Sequence, residues 1–257
     1  MTPLNEKEIS NIDLSSLSWK SYLNNINNVD AFMTRYYHYL RVVMVQDAIK
    51  YLLNHDFPIH SCLDIGCNRG YYSAIFGDLG AQVDAVDPDL RSDRVINHPN
   101  VVYHKADFLK WKSDKTYDVI LFFEVYEHIS PNSREIFIEK IKQSLNPGGT
   151  ILFSGPNCIS LFYSGGFIKS LIPFLLGKIP EIDWHYRIPY YFYQKSFENE
   201  ESHIVSWQTN GILFVFSNKI ESMLGKSCIQ RLLDLDRCVS GLISGLGANY
   251  FCIVQMK

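Results

Sequence analysis

The sequence predicts an α/β fold with a doubly wound sheet, and three observations predict it. From residue 58 onward short apolar runs alternate with amphipathic ones, the pattern of parallel strands joined by crossover helices. The first run, Cys62-Leu63-Asp64-Ile65, passes through Gly66-Cys67-Asn68-Arg69-Gly70 into Tyr71 to Phe76, which reads as strand, tight turn, helix. The next run closes on Asp87, 21 residues beyond Gly66, so an acidic group stands at the carboxyl edge of the sheet beside that turn. With 47% hydrophobic and 20% charged residues in 257, the chain can fill a sizeable core as one domain.

Residues 1–57 read as a helical arm. A short helix is expected near Ser18 to Asn24, then a long amphipathic helix from Asp30 to His55, on which Met33, Tyr36, Tyr37, Leu40, Met44, Ala48, Tyr51 and Leu52 recur at three and four. Its tyrosines either pack on the sheet or, at Tyr36, Tyr37 or Tyr39, close a substrate pocket. Pro58 stops it. The core, 58–155, is expected to run Ser61–Ile65, Tyr71–Leu79, Gln82–Val86, Arg91–Asn97, Val101–His104, Tyr117–Phe123, Pro131–Leu145 and Thr150–Ser154, strand and helix in turn. Ser130-Pro131 is a helix start and Asn146-Pro147-Gly148-Gly149 a helix stop. Residues 156–206, rich in aromatics and proline, lack periodicity and read as a cap insertion. Residues 207–257 then complete the sheet: a strand at Ile212–Phe216, a short helix at Ser217–Leu224, an uncertain helical stretch to Gly245 and a closing strand at Asn249–Gln255.

Composition narrows the function. A net charge of -3 argues against long nucleic acid as the main partner, because phosphate neutralisation needs a basic field. Six scattered cysteines without a Cys-x-x-Cys pair, and a polar N-terminus, read as a reduced cytoplasmic protein. Ile159 to Gly177 is apolar, but Lys169, its glycines and Pro173 disfavour a span and leave a soluble cap or membrane-surface contact. The oligomeric state is left open.

An acid at Asp87 can take the hydroxyls of a ribose lying across the glycine turn, as in dinucleotide and S-adenosylmethionine sites alike. A dinucleotide fingerprint needs a small residue where this chain has Tyr71, so NAD is disfavoured. Leu63-Asp64-Ile65-Gly66-Cys67-Asn68-Arg69-Gly70, Asp87, Ala106-Asp107-Phe108, Tyr117-Asp118-Val119-Ile120 and Leu145-Asn146-Pro147-Gly148-Gly149 follow one another in order. This series resembles the class I S-adenosylmethionine-dependent methyltransferases of the type 11/23 kind, including ubiquinone-pathway O-methyltransferases. Asn68 departs from their usual middle glycine. The resemblance implies a Rossmann-like seven-stranded sheet with S-adenosyl-L-methionine held by Asp64, Gly66, Cys67, Asn68, Gly70, Asp87, Asp107, Phe108 and Glu124. Asp118 reads as a solvated turn residue, and Pro156-Asn157 as a corner facing substrate.

Catalysis falls to Glu124-Val125-Tyr126-Glu127-His128, where a helical turn would bring Glu124, Glu127 and His128 to one side. This Glu-x-x-Glu-His resembles a divalent-metal site of ubiquinone-pathway and small-RNA 2′-O-methyltransferases, with His185 as a fourth ligand and Mg²⁺ or another divalent metal bound. The alternatives are His128 acting without metal, as base or substrate contact, or a structural role. Methyl transfer to a hydroxyl of a small-molecule acceptor (a phenol or quinone precursor, a sugar or a lipid-linked molecule) is the leading expectation. RNA 3′-terminal 2′-O-methylation and a non-catalytic cofactor-binding module are the competitors.

Overall fold

The computed structural model describes residues 17–27, 32–158, 181–182, 185–186, 188–212, 229–242 and 245–257. Two helices, α1 (Leu17–Asn27) and α2 (Phe32–Asn54), precede β1 (Ser61–Ile65), α3 (Tyr71–Asp78), β2 (Gln82–Asp87), β3 (Val101–Lys105) and β4 (Tyr117–Phe123). Two 3-10 turns, Tyr126–His128 and Pro131–Ser133, lead into α4 (Arg134–Gln143), and β5 (Leu145–Pro156) follows. Beyond them lie a two-stranded ribbon, β6 (Glu181–Ile182) with β7 (His185–Tyr186), then α5 (Tyr190–Phe197), β8 (Ser202–Asn210), α6 (Ile229–Leu242) and β9 (Asn249–Met256). The seven-stranded sheet runs β3-β2-β1-β4-β5-β9-β8, parallel from β3 to β5, with β9 antiparallel between β5 and β8.

Because the central strands are buried on both faces, their residues alternate between two cores. Cys62, Val83, Val119, Leu121 and Leu152 pack under α1, α2 and α3. Leu63, Ile65, Ile120, Phe122, Ile151 and Phe153 pack under α4 and α5. The strand order reverses between β1 and β4, and the carboxyl ends of those two strands open the crevice in which such sheets bind ligands. Among the described residues, no helix is long and apolar enough to cross a membrane.

Several sequence expectations change. Arg91–Asn97 forms turns, not a helix. Its Ile96 N–H donates to Arg69 O and its Ile96 O accepts from Tyr103, so this loop braces the glycine turn instead. The helix begun at Pro131 ends at Gln143, and Leu145 already pairs with Tyr117; Asn146-Pro147-Gly148-Gly149 lies inside β5 at a register shift, not at a helix stop. Asp118 is a strand clamp: its carboxylate accepts His60 N–H, Ser61 N–H and Asn146 Nδ2–H at 2.7–3.0 Å. Asn157 is fully buried, with Nδ2 donating to Gly245 O and Gly247 O, so it fastens the closing loop rather than facing substrate. Strand β8 begins at Ser202, within the stretch read as cap. The expected elements at 213–216 and 217–224, and the apolar stretch 159–177, lie outside the described residues.

Candidate active site

The glycine turn is built by backbone conformations that few residues adopt. Gly66 and Gly70 lie at φ 75° and 74°, and Asn68 between them at φ 49°. Asn is among the few side chains that occupy this left-handed region at low cost, which explains how it replaces a glycine. The turn is also closely covered. A Cβ on Gly66 would strike Val125 Cγ2, and one on Gly70 would strike the Tyr103 hydroxyl. Gly66 N–H and Cys67 N–H reach back to Val86 O at 2.8 and 3.4 Å, and Gly70 caps α3.

Asp87, at the end of β2, stands across from that turn. Its Oδ2 accepts Asn68 N–H at 2.9 Å and its Oδ1 accepts Asp89 N–H at 2.8 Å. The carboxylate is thereby held at the strand end, with lone pairs remaining for hydroxyl donors. Asp64 is buried beneath the turn and accepts Ser73 Oγ–H at 2.5 Å; burial pushes its carboxyl up to about 7 despite that bond. Cys67 is buried, which pushes its thiol up and leaves it a packing residue. Asp107 accepts Leu109 N–H at 2.9 Å and stays exposed. The Phe108 ring sits in the core between Phe137, 5.0 Å away, and Lys140, whose Nζ lies 4.8 Å over it.

The corner after β4 is where the structure adds most. Glu124 lies at φ 55°, an unusual conformation for a residue with a Cβ, and strain of this kind collects at functional sites. Its Oε1 accepts Ser154 Oγ–H at 2.8 Å, while its Oε2 accepts Tyr37 OH at 2.7 Å and pairs with Arg41 Nη2 at 2.9 Å. Glu127 is 2% exposed with Oε2 unpartnered; burial first, and Glu124 second, raise its carboxyl well above the usual range. His128, one residue on, is exposed. The turn is a 3-10 turn over Tyr126–His128, which Glu124 precedes at left-handed φ. Glu124 is tied to α2, Glu127 is enclosed, and His128 is exposed.

Glu124 is engaged by a guanidinium and two hydroxyls, and Glu127 is buried with its carboxyl raised. Among the described residues, no group of three His, Cys, Asp or Glu side chains converges in a way that could hold a metal ion. The backbone of His185 lies in β7, which passes beside the Tyr126–His128 turn, and its side chain falls outside the description. Arg41 and Ser154 escaped the sequence reading. The available signal was a cation on α2 four residues after Tyr37, on the same helix face.

A methyltransferase-domain family model matches residues 35–201, more than half of the chain. The chain belongs to the class I S-adenosylmethionine-dependent methyltransferases. This methyltransferase is 27% identical over 187 residues to the ubiquinone biosynthesis O-methyltransferase of Rickettsia prowazekii, an alignment covering 70% of each chain. It is 29% identical over 147 residues to the mitochondrial ubiquinone biosynthesis O-methyltransferase of Rattus norvegicus, covering 51% of this chain and 42% of that one. Its fold matches the magnesium protoporphyrin IX methyltransferase of Synechocystis PCC 6803, solved with bound S-adenosylhomocysteine. The TM-score is 0.57 at 10% identity, over 95% of this chain and 97% of that one. It also matches an S-adenosylmethionine-dependent methyltransferase of Listeria monocytogenes, with a TM-score of 0.51 at 14% identity over 79% and 93% of the two chains. The methyltransferase binds S-adenosylmethionine, and the turn and strand-end acids suit it: left-handed backbone for close approach, and a fixed carboxylate for a ribose.

Proposed function

We propose that the protein transfers a methyl group from S-adenosylmethionine to a hydroxyl of a small-molecule acceptor, with His128 taking the proton. Bound S-adenosylmethionine supplies a methyl group already activated by positive sulfur. In this reading Asp87 holds the ribose hydroxyls, Asp107 the adenine amino group, and the Gly66–Gly70 turn and Asp64 the amino-acid end. Phe108 supports Asp107 from the core rather than touching the adenine. The acceptor oxygen bonds to the methyl carbon as the carbon–sulfur bond breaks, leaving a neutral thioether. The hydroxyl proton passes to an imidazole nitrogen of His128 and from there to solvent.

The observation that carries this reading is the division of labour at the corner. Of the three candidate groups, Glu124 is paired with Arg41, Glu127 is buried, and His128 is exposed. The names of the relatives, which methylate oxygen, support the same acceptor atom. His128→Ala should lower kcat about 10²–10⁴-fold, the range of general-base catalysis, and leave affinity for S-adenosylhomocysteine nearly unchanged. Initial rates and calorimetric titration check this together. Equal loss of both would make His128 a structural or cofactor residue instead.

A further inference from the structure

Lys140, on α4, is committed to the turn that carries Asp107. Its Nζ donates to Phe108 O and Trp111 O at 2.5 Å and to Leu109 O at 3.2 Å. An ammonium has three protons, so these three carbonyls use all of them. The same Nζ lies 4.8 Å over the Phe108 ring. Phe137, Ile138 and Ile141 of α4 are buried in the core, which fixes the base of this side chain.

The turn closes on itself without growing into a helix. Asp107 O accepts Lys110 N–H at 2.9 Å and Trp111 N–H at 2.8 Å. The carbonyls that follow have no next helical turn to bond, so they need a donor from elsewhere. Lys140 is that donor. Leu109 connects this clamp to the Asp107 side chain: its N–H donates to Asp107 Oδ1 at 2.9 Å, and its C=O is held by Lys140. Asp107 Oδ2 lies 3.8 Å from the exposed Lys110 ammonium, a pair that water screens, and keeps lone pairs for a ligand N–H. Just before the turn, Ala106 N–H donates to Asp87 O at 3.2 Å, so the turn leaves from beside the acid read as the ribose ligand.

We infer that Lys140 is a positioning residue for cofactor recognition: by fixing the turn over 107–111 it aims the Asp107 carboxylate at the exocyclic amine of the adenine. The inference rests on the reading of Asp107 given above and adds a residue that acts on the adenine only through Asp107. A carboxylate discriminates best when it is already in place, because a mobile one must first be ordered on binding. Lys140 thus contributes to the choice among purines rather than to methyl transfer.

The test is calorimetric titration with S-adenosylhomocysteine and with its purine analogue, in which hydrogen replaces the adenine amino group. Wild type should bind the parent compound about tenfold or more tighter, the effect of one charge-assisted hydrogen bond. Asp107→Ala should bring that ratio to about twofold or less, since the acceptor is gone. Lys140→Met removes the ammonium but keeps a chain of similar length over Phe108, and its ratio should fall to about threefold or less. Lys140→Arg keeps a cation at the carbonyls and serves where Lys140→Met fails to fold. Its planar fork cannot aim three donors from one nitrogen, so its ratio should lie between those of wild type and Asp107→Ala. A wild-type ratio in either folded Lys140 variant, with the ratio lost in Asp107→Ala, makes Lys140 a stability clamp alone and overturns the inference. No discrimination in wild type, or discrimination kept in Asp107→Ala, brings down the Asp107 reading itself and the inference with it.

Discussion

At the scale of single residues, the site is shaped by how much it costs to bury a charge. Burial lifts the Asp64 carboxyl to about 7, and the Ser73 hydroxyl only partly opposes this. Between the unfolded value near 4 and the folded value near 7, the native state holds a proton that the unfolded chain has released. Native stability therefore falls as pH rises through that window. About three pH units correspond to roughly 4 kcal/mol at most. Asp64→Asn removes the titration, so its unfolding free energy should be flatter than wild type between pH 4 and 7 and exceed it by a few kcal/mol above that window. Urea unfolding at several pH values without cofactor measures the difference, and parallel curves for the two proteins would show that Asp64 is ionised in the native state. Glu127 belongs to the same logic: burial first and the neighbouring Glu124 charge second raise its carboxyl well above the usual range, and the Arg41 cation opposes them.

At the scale of elements, buried polar side chains join segments whose ends would otherwise hold unpaired backbone groups. Asn157 follows β5, gives its Nδ2 protons to Gly245 O and Gly247 O at 2.8 and 2.9 Å, and accepts Tyr190 N–H at 3.2 Å. It thereby ties β5 to the loop before β9 and to the start of α5. Asn157→Ala leaves those groups in a dry environment, and about 2–4 kcal/mol of destabilisation is expected. Chemical denaturation gives that number, and amide exchange should rise first at Tyr190. A loss below about 0.5 kcal/mol would mean that water replaces the side chain. The sequence revealed the strands and missed these ties, for a physical reason. Strands β1, β2 and β4 are covered on both faces and read as apolar runs, whereas an asparagine clamp looks like any loop asparagine until its partners are in place. The edge strand β8, Ser-His-Ile-Val-Ser-Trp-Gln-Thr-Asn, is half-buried along most of its length and too polar to stand out. Likewise the motifs identified the glycine turn and Asp87, but the pairing of Glu124 with Arg41 spans 83 positions and no local pattern records it.

At the scale of the whole molecule, the family match begins at residue 35, yet α1 lies before it and packs against the helix that starts from the glycine turn. Tyr22 is 5% exposed, stacks on Tyr71 at 4.7 Å, and shares a hydrogen bond with the Tyr72 hydroxyl at 2.9 Å. Arg69, inside the turn, reaches Asn25 Oδ1 at 3.3 Å. Helix α1 thus covers the first turn of α3, whose N-terminus faces the ligand crevice, and touches the glycine turn through Asn25 and Arg69. Tyr22→Ala removes an aromatic side chain from this contact and should cost about 3 kcal/mol, equivalent to roughly 6–12 °C in Tm for a chain of this size. The informative quantity is the further rise in Tm on adding S-adenosylhomocysteine. If α1 orders the turn, the variant must spend part of its binding energy on that ordering, so the ligand-induced rise at fixed concentration should be smaller than in wild type. Thermal unfolding of both proteins across a ligand titration gives the comparison. An equal rise in the two would make α1 a cover for apolar surface alone, with the glycine turn holding its shape through Asp87, Ile96 and Tyr103.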